Sequence, residues 1–333
     1  MTGLVQAVPL RRRRPVARAV EGQELALVVV VALLWLALSL GTDTFLTGSN
    51  LRNIVFGVAA IAIIGVGMTP VIVTAGIDVS VGSMVAVVMV VVAKLIRDAG
   101  TPAPLAILVA VALGLALGSL NGLLVSLGGI HPIIVTFGTL NVFRFVALRV
   151  FDSKQVTGVP DTLAWFGGGE AGRGLLGVPH AGWLAIVLAA LMWCYMRYWA
   201  TGRHWYAIGN DANAARLAGI NVRRRTIAAY SLTGLLVGLA ACVLIGSGGL
   251  VQQNAGAGLE LQVIAAVVIG GTSILGGRGT VLGTLLGALL VGTLTSAITL
   301  LGWRSELTEL FIGLFILVAV GVDLVRERRR RTR

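Results

Sequence analysis

Long apolar runs separated by short polar or glycine-rich intervals dominate the chain. A helix that crosses a bilayer needs about 20 mostly apolar residues. Ten stretches meet or approach that length: 25–45, 54–75, 82–97, 105–127, 132–150, 182–199, 226–246, 260–276, 281–301 and 308–325. The third and eighth are short. The pattern predicts an all-α polytopic membrane protein with about ten transmembrane helices. The first run follows a group of arginines, as in a secretion signal. No clear A-x-A cleavage site comes after it and many further runs do, so it reads as an uncleaved span.

Composition agrees with a bilayer as solvent. Of the 333 residues, 57% are hydrophobic and 12% charged, whereas soluble domains carry roughly 25% charged residues. The 45 glycines let helices approach closely in lipid. The net charge of +12 raises the question of nucleic acid, but its distribution argues against that partner. The arginines gather at Arg11–Arg14 and Arg18, at Arg197, Arg203, Arg216 and Arg223–Arg225, and at Arg326, Arg328–Arg331 and Arg333. All three clusters flank apolar runs, as the positive-inside rule expects. With ten spans and a cytoplasmic N-terminus, the three clusters share the cytoplasmic face, and both termini are cytoplasmic. Residues 1–24 then form a basic tail, 25–325 the membrane domain with a cytoplasmic segment at 200–225, and 326–333 a second basic tail. Cys194 and Cys242 lie inside apolar runs, and His131, His180 and His204 lack metal-ligand spacing, so neither a disulfide framework nor a metal site is expected.

The longest external segment is 151–181, with Asp152, Lys154, Asp161, Glu170 and Arg173 among many glycines. It is a linker or part of a docking surface. An internal repeat is also hinted at. Residues 76–88 lie over 256–268, and 113–118 over 282–287, and in a ten-span chain the two copies start on opposite sides. Transporters commonly place their pathway at the interface of such inverted repeats.

Three segments carry candidate chemistry. In Gly76–Ser83, Asp78, Ser80 and Ser83 interrupt an apolar run, and Gly76 and Gly82 permit a sharp turn. Asp78 or Ser80 could cap the next helix. The segment is either a short capped loop or a broken stretch beside a solute pathway, where non-helical backbone is tolerated at membrane depth. In Tyr206–Arg225, Asn210 or Asp211 can cap a short helix through 212–217 that Gly219 ends. In Gln252–Gly283, the candidates are Gln252, Gln253, Asn254, Glu260, Gln262, Thr272 and Ser273. Hydroxyls and amides both donate and accept, which suits a neutral polyhydroxylated solute. They serve equally as glue between helices.

What the chain lacks narrows its function. The two lysines, Lys94 and Lys154, sit in no G-x-x-x-x-G-K-[ST] motif, so no nucleotide-hydrolysing engine is expected here. Acids are sparse: Asp78 and Glu260 stand at span edges and Asp323 near the last cytoplasmic end. Ion-coupled carriers usually hold ionisable groups at the midplane. Arg144 and Arg149 of the fifth run either snorkel outward or face a pore.

Four segments together, Gly76–Ser83, Asn121–Leu140, Tyr206–Ile220 and Ile264–Leu294, resemble the permease subunits of bacterial sugar ABC importers of the ribose, xylose, arabinose, rhamnose and autoinducer-2 type. The likeness covers nearly the whole chain, and Gly256–Gln262 looks closest to the autoinducer-2 and rhamnose branch. It implies a ten-span permease of the cytoplasmic membrane, surrounded by membrane lipid and dimeric with the same or a paralogous subunit. It also implies two cytoplasmic ATPase subunits, which hold the ATP, and an extracytoplasmic sugar-binding protein. Asn121, Thr136, Thr139 and Asn141 join Asp78, Ser80 and Ser83 and the polar residues of 252–273 as pathway candidates. The family's coupling segment falls on Gly209, Asn210, Asp211, Asn213, Ala214, Ala215, Arg216, Gly219 and Ile220. Where the family usually carries further acids, this chain has Ala212 and Asn213, leaving Asp211 as the acidic residue. No cofactor is expected in this chain. The expected mechanism is alternating access driven through 206–222. Competing readings are a permease for another solute such as branched-chain amino acids, an ATP-independent secondary carrier, and a membrane scaffold.

Overall fold

The computed structural model describes residues 17–152, 154–167, 172 and 174–331. Arg11–Arg14, Glu170, Arg173 and Arg333 lie outside the described residues. The helices are α1 Ala17–Gly41, α2 Gly48–Val73, α3 Val81–Ala99, α4 Ala103–Gly128, α5 Pro132–Phe151 and α6 His180–Tyr198. They continue with α7 Ala200–Asn210, α8 Ala212–Leu217, α9 Val222–Gly246, α10 Leu259–Ile269, α11 Val281–Leu300 and α12 Glu306–Arg331. Two-residue strands β1 Val156–Thr157 and β2 Leu250–Val251 pair antiparallel. They pin the 151–181 segment, which also holds short 3-10 helices, to the end of α9.

Each of the ten predicted spans has a helix, but eight are long and apolar enough to cross a membrane. α3 has the length but carries Lys94, Arg97 and Asp98 in its last turns. The eighth span, 260–276, is corrected. Its helix α10 has 11 residues, roughly 16 Å at 1.5 Å per residue, about half a hydrocarbon core. The remainder is loop 270–280, where Gly271, Gly276, Gly277 and Gly279 adopt positive φ and stop the helix. At the C-terminus, α12 runs on through the arginines to Arg331, so that predicted tail continues the last helix.

The centre of the bundle is α2, α3, α9, α10 and α11. In α2 every residue from Ala59 to Val73 is buried. α1 and α12 are peripheral and expose rows of Leu and Val such as Leu25, Leu33, Leu317 and Val318, a surface suited to lipid and not to water. The closest helix pairing is α4 against α9. Gly114, Gly118 and Gly122 face Gly234, Tyr230 and Ile227, and side chains at Gly114 or Gly118 would overlap α9 backbone. Four-residue spacing puts these glycines on one helix face, so backbones meet directly, as small-residue motifs allow in membranes. Buried hydroxyls tie the other helices. Thr69 and Thr284 are 2.8 Å apart between α2 and α11, and Thr233 of α9 donates to the Gly67 carbonyl of α2 at 2.9 Å.

Candidate functional site

The loop between α2 and α3 folds into a closed polar knot. Asp78 is fully buried. Its Oδ1 accepts the Ser80 N–H at 2.9 Å and the Ser80 hydroxyl at 2.7 Å. Asn121 of α4 donates to Ser80 Oγ at 2.8 Å, and Thr136 of α5 donates to the Ile77 carbonyl at 3.0 Å. Ser83 turns back to the Ser80 carbonyl at 3.0 Å. Five predicted pathway residues therefore do meet, bonding largely to one another and to local backbone. Ser80 sits at the N-cap of α3 without a side-chain capping bond, and Asp78 binds Ser80 and caps no helical N–H beyond it. Thr139 and Asn141 bond carbonyls of their own helix, Thr136 and Phe137, so Thr139 adjoins the knot through Thr136.

A second non-helical stretch, 252–258, leads from β2 to the start of α10. Arg144 of α5 donates to the Ala255 carbonyl at 2.9 Å. That bond assigns Arg144 the job of anchoring this stretch. Gly256 and Gly82 meet backbone to backbone, leaving no room for a side chain at either position. The two repeat-like segments, 76–88 and 256–268, are thereby in contact. Glu260 lies over Gly82, with a buried Oε2 that has no hydrogen-bond partner. Gln252 and Asn254 are exposed beside β2, and Gln253 is half-buried.

An open polar cavity lies elsewhere. A cavity of about 370 Å³ opens between the first half of α2, the second half of α11 and the start of α10. That volume is in the range of small-molecule pockets. Its polar lining is Asn50, Asn53, Gln262, Thr295, Ser296 and Thr299, with Gly57 and Gly292 widening it and no charged side chain. Ser296 donates to Asn50 Oδ1 at 3.1 Å across 246 residues of sequence. Of this lining, sequence reasoning named Gln262 alone. A signal was present: Asn50, Asn53 and Gly57 fall on one helical face, as do Thr295, Ser296 and Thr299.

Thr272 and Ser273, predicted for the pathway, lie at the opposite end of the bundle in loop 270–280. Both are buried, and Ser273 donates to Asp323 of α12 at 2.6 Å. They are remote from the cavity because α10 and α11 run between them and it. α7 packs on the same loop. Tyr206 donates to the Gly279 carbonyl at 3.0 Å, and burial pushes its hydroxyl up to about 12, so it remains a donor at physiological pH.

The coupling candidates form the compact unit expected. Asp211 Oδ1 accepts the N–H groups of Asn213 and Ala214 at 2.8 and 3.0 Å, capping α8. Gly219, at φ +83°, ends it with the paired bonds Gly219 N–H to Arg216 and Ile220 N–H to Ala215, a Schellman closure. Ala215 faces inward, whereas Asn213, Ala214 and Arg216 are exposed and Leu217 is 91% exposed. Gly209 is wedged between Val73 and Gly277, and Asn210 bonds back to the Tyr206 carbonyl at 2.8 Å.

Residues 50–320 match the family model described as branched-chain amino acid transport system / permease component. The chain is 38% identical over 323 residues to the ribose import permease protein RbsC of Escherichia coli K12, covering 96% of this chain and 98% of that one. It is 35% identical over 303 residues to the fructose import permease protein FrcC of Rhizobium meliloti, covering 89% and 83%. It is 32% identical over 286 residues to the D-allose transport system permease protein AlsC of E. coli K12, covering 86% of each. No solved structure matches it.

Proposed function

Because this chain belongs to the ABC importer permeases, in the family described as branched-chain amino acid transport system / permease component, we propose that it forms the membrane pathway of a monosaccharide importer. The observation that carries this reading is the cavity lined by amides and hydroxyls without a charge. Sugar hydroxyls both donate and accept, and each lining group can answer either way. An amino acid would bring a carboxylate and an ammonium into a site with no charged partner, at a steep desolvation cost. The relatives that import ribose, fructose and allose carry solutes of the matching neutral chemistry. A pentose or hexose is the proposed substrate class, and the Gly256–Gln262 likeness keeps the autoinducer-2 and rhamnose type within it.

In this reading the α8 end faces the cytoplasm, where Arg203, Arg216, Arg223 and Arg224 are exposed, as the positive-inside rule favours. A separate ATPase subunit holds the nucleotide and grips α8 through the exposed Arg216 and Leu217. The cavity end receives sugar from an extracytoplasmic binding protein. Asn53 and Thr299 are exposed on membrane-crossing helices, and polar groups facing lipid are costly. A second permease copy across a shared pathway removes that cost. Neutral hydrogen bonds, each worth about 1 kcal/mol net, hold the sugar weakly enough for release. The bias between outward and inward states comes from the ATPase, as a shift of equilibrium demands differential binding.

The test reconstitutes the chain in liposomes, alone and with a partner ATPase and sugar-binding protein identified by co-purification, using labelled ribose, fructose, allose and rhamnose. The complex should accumulate one of these sugars with ATP, and the chain alone should accumulate none. Uphill uptake by the lone chain under an ion gradient would overturn the reading.

A further inference from the structure

We infer that loop 270–280 is the mechanical relay between the α7–α8 unit and the polar cavity, with Tyr206, Gly209 and Gly277 as its positioning residues. The inference rests on the reading that an ATPase grips α8. Three elements line the cavity: α2, α10 and α11. The opposite ends of the same three elements meet at one junction. There the Gly277 N–H donates to the Val73 carbonyl, the last residue of α2, at 2.8 Å. Loop 270–280 itself joins α10 to α11. α7 enters from the side: Gly209 touches both Val73 and Gly277 so closely that a methyl group would overlap their backbone atoms. Tyr206 adds its bond to the Gly279 carbonyl.

The contacts at this junction are largely backbone on backbone. A long side chain in series would absorb a push by changing rotamer, whereas abutting backbones pass it on. The loop is also held in shape. Its Ser273 N–H donates to the Arg278 carbonyl at 3.0 Å. Ser273 and Thr280 fasten it to Asp323 of α12 and Glu24 of α1 at 2.6 Å each. The positive φ of Gly276 and Gly277 is a conformation other residues adopt at a cost, which fits a loop whose shape matters more than its side chains. α9 also follows α8 in sequence, but it contributes nothing to the cavity lining. A displacement of α8 therefore reaches α7 through the Asp211 cap, the junction through Gly209 and Tyr206, and the cavity through the lengths of α2, α10 and α11.

The experiment uses the complete complex in nanodiscs, with spin labels at Leu46 and Trp303. Both positions are exposed and stand beyond the cavity ends of α2 and α11. Distances are measured with and without an ATP analogue, and uptake per ATP hydrolysed is measured in liposomes. Tyr206→Phe removes one hydroxyl and keeps the ring, so it should fold. It should hydrolyse ATP at the wild-type rate, lose about five-fold in uptake per ATP, as one lost hydrogen bond implies, and show less than half the nucleotide-driven distance change. Gly209→Ala, which forces the junction open, should lose more in both readouts. Wild-type coupling and a wild-type distance response in Tyr206→Phe would overturn the relay while leaving the permease reading intact. A wild-type complex that takes up sugar with ATP while its distance ignores nucleotide would likewise overturn the relay and leave the permease reading intact.

Discussion

Alanine at Gly118 should loosen the bundle, while the same change at Gly313 should tighten it. A methyl group at Gly118 would overlap the Tyr230 carbonyl oxygen and lie 2.9 Å from both the Cα and N of Gly234. Carbon atoms prefer about 3.5–4.0 Å, so α4 and α9 must part by about 1 Å. Overpacking of this kind costs about 1–3 kcal/mol. Replacing a helical glycine by alanine returns about 1 kcal/mol through helix propensity. The balance is a loss of about 1–2 kcal/mol at the middle and top of that range. Gly313 in α12 has no atom within 4 Å of a built Cβ, so only the propensity gain of about 1 kcal/mol remains. The two variants should differ by about 2–3 kcal/mol, or roughly 4–6 °C at about 2 °C per kcal/mol for a chain of this size. Melting in detergent can be followed with a thiol-reactive dye, because Cys242 is fully buried in α9 and reacts only as the helices separate. A Gly118→Ala variant that melts at or above Gly313→Ala would refute the claim that backbone contact holds α4 to α9.

Three further outcomes follow from the geometry. Asn53→Leu and Thr299→Val each remove one neutral group from the cavity, so each should raise the KM for sugar uptake about five-fold, with complex assembly on gel filtration unchanged. Arg144→Met deletes a charge-assisted bond to the Ala255 carbonyl; at about 1.5–3 kcal/mol, hydrogen exchange across 252–258 should speed up by about 10- to 100-fold, read by mass spectrometry. Asp211→Ala unbonds two α8 N–H groups at about 1 kcal/mol, and Gly219→Ala strains a left-handed position. Both should insert normally yet hydrolyse ATP with reduced uptake, and full-rate transport by either would show that α8 is not the lever.

Some of the candidate site was readable in one dimension. The α8 unit is local: the cap Asp211 and the terminator Gly219 sit eight residues apart in sequence, and each makes its bonds within a turn or two. Asp78 and Ser80 stood out as polar residues in apolar surroundings, Asn121 entered through the family resemblance, and the three do converge. Polarity alone could not separate a residue that greets solute from one that bonds another buried group, and these three bond one another. Thr272 and Ser273 were misplaced for a related reason. Counting 260–276 as a full span put them at membrane depth, whereas α10 ends at Ile269 and leaves them in the loop beyond.

The sequence by itself determined that the chain is helical and membrane-embedded, where most of its long apolar helices lie, and where the capped α8 lies, because hydrophobic runs, caps and glycine stops act over a few residues. Only the tertiary structure decided that Asn50 and Ser296 share a cavity, that Arg144 serves the 252–258 stretch, and that α7 abuts loop 270–280. Those are meetings between segments far apart along the chain, fixed by how glycine-lined faces pack. No local pattern records which face meets which.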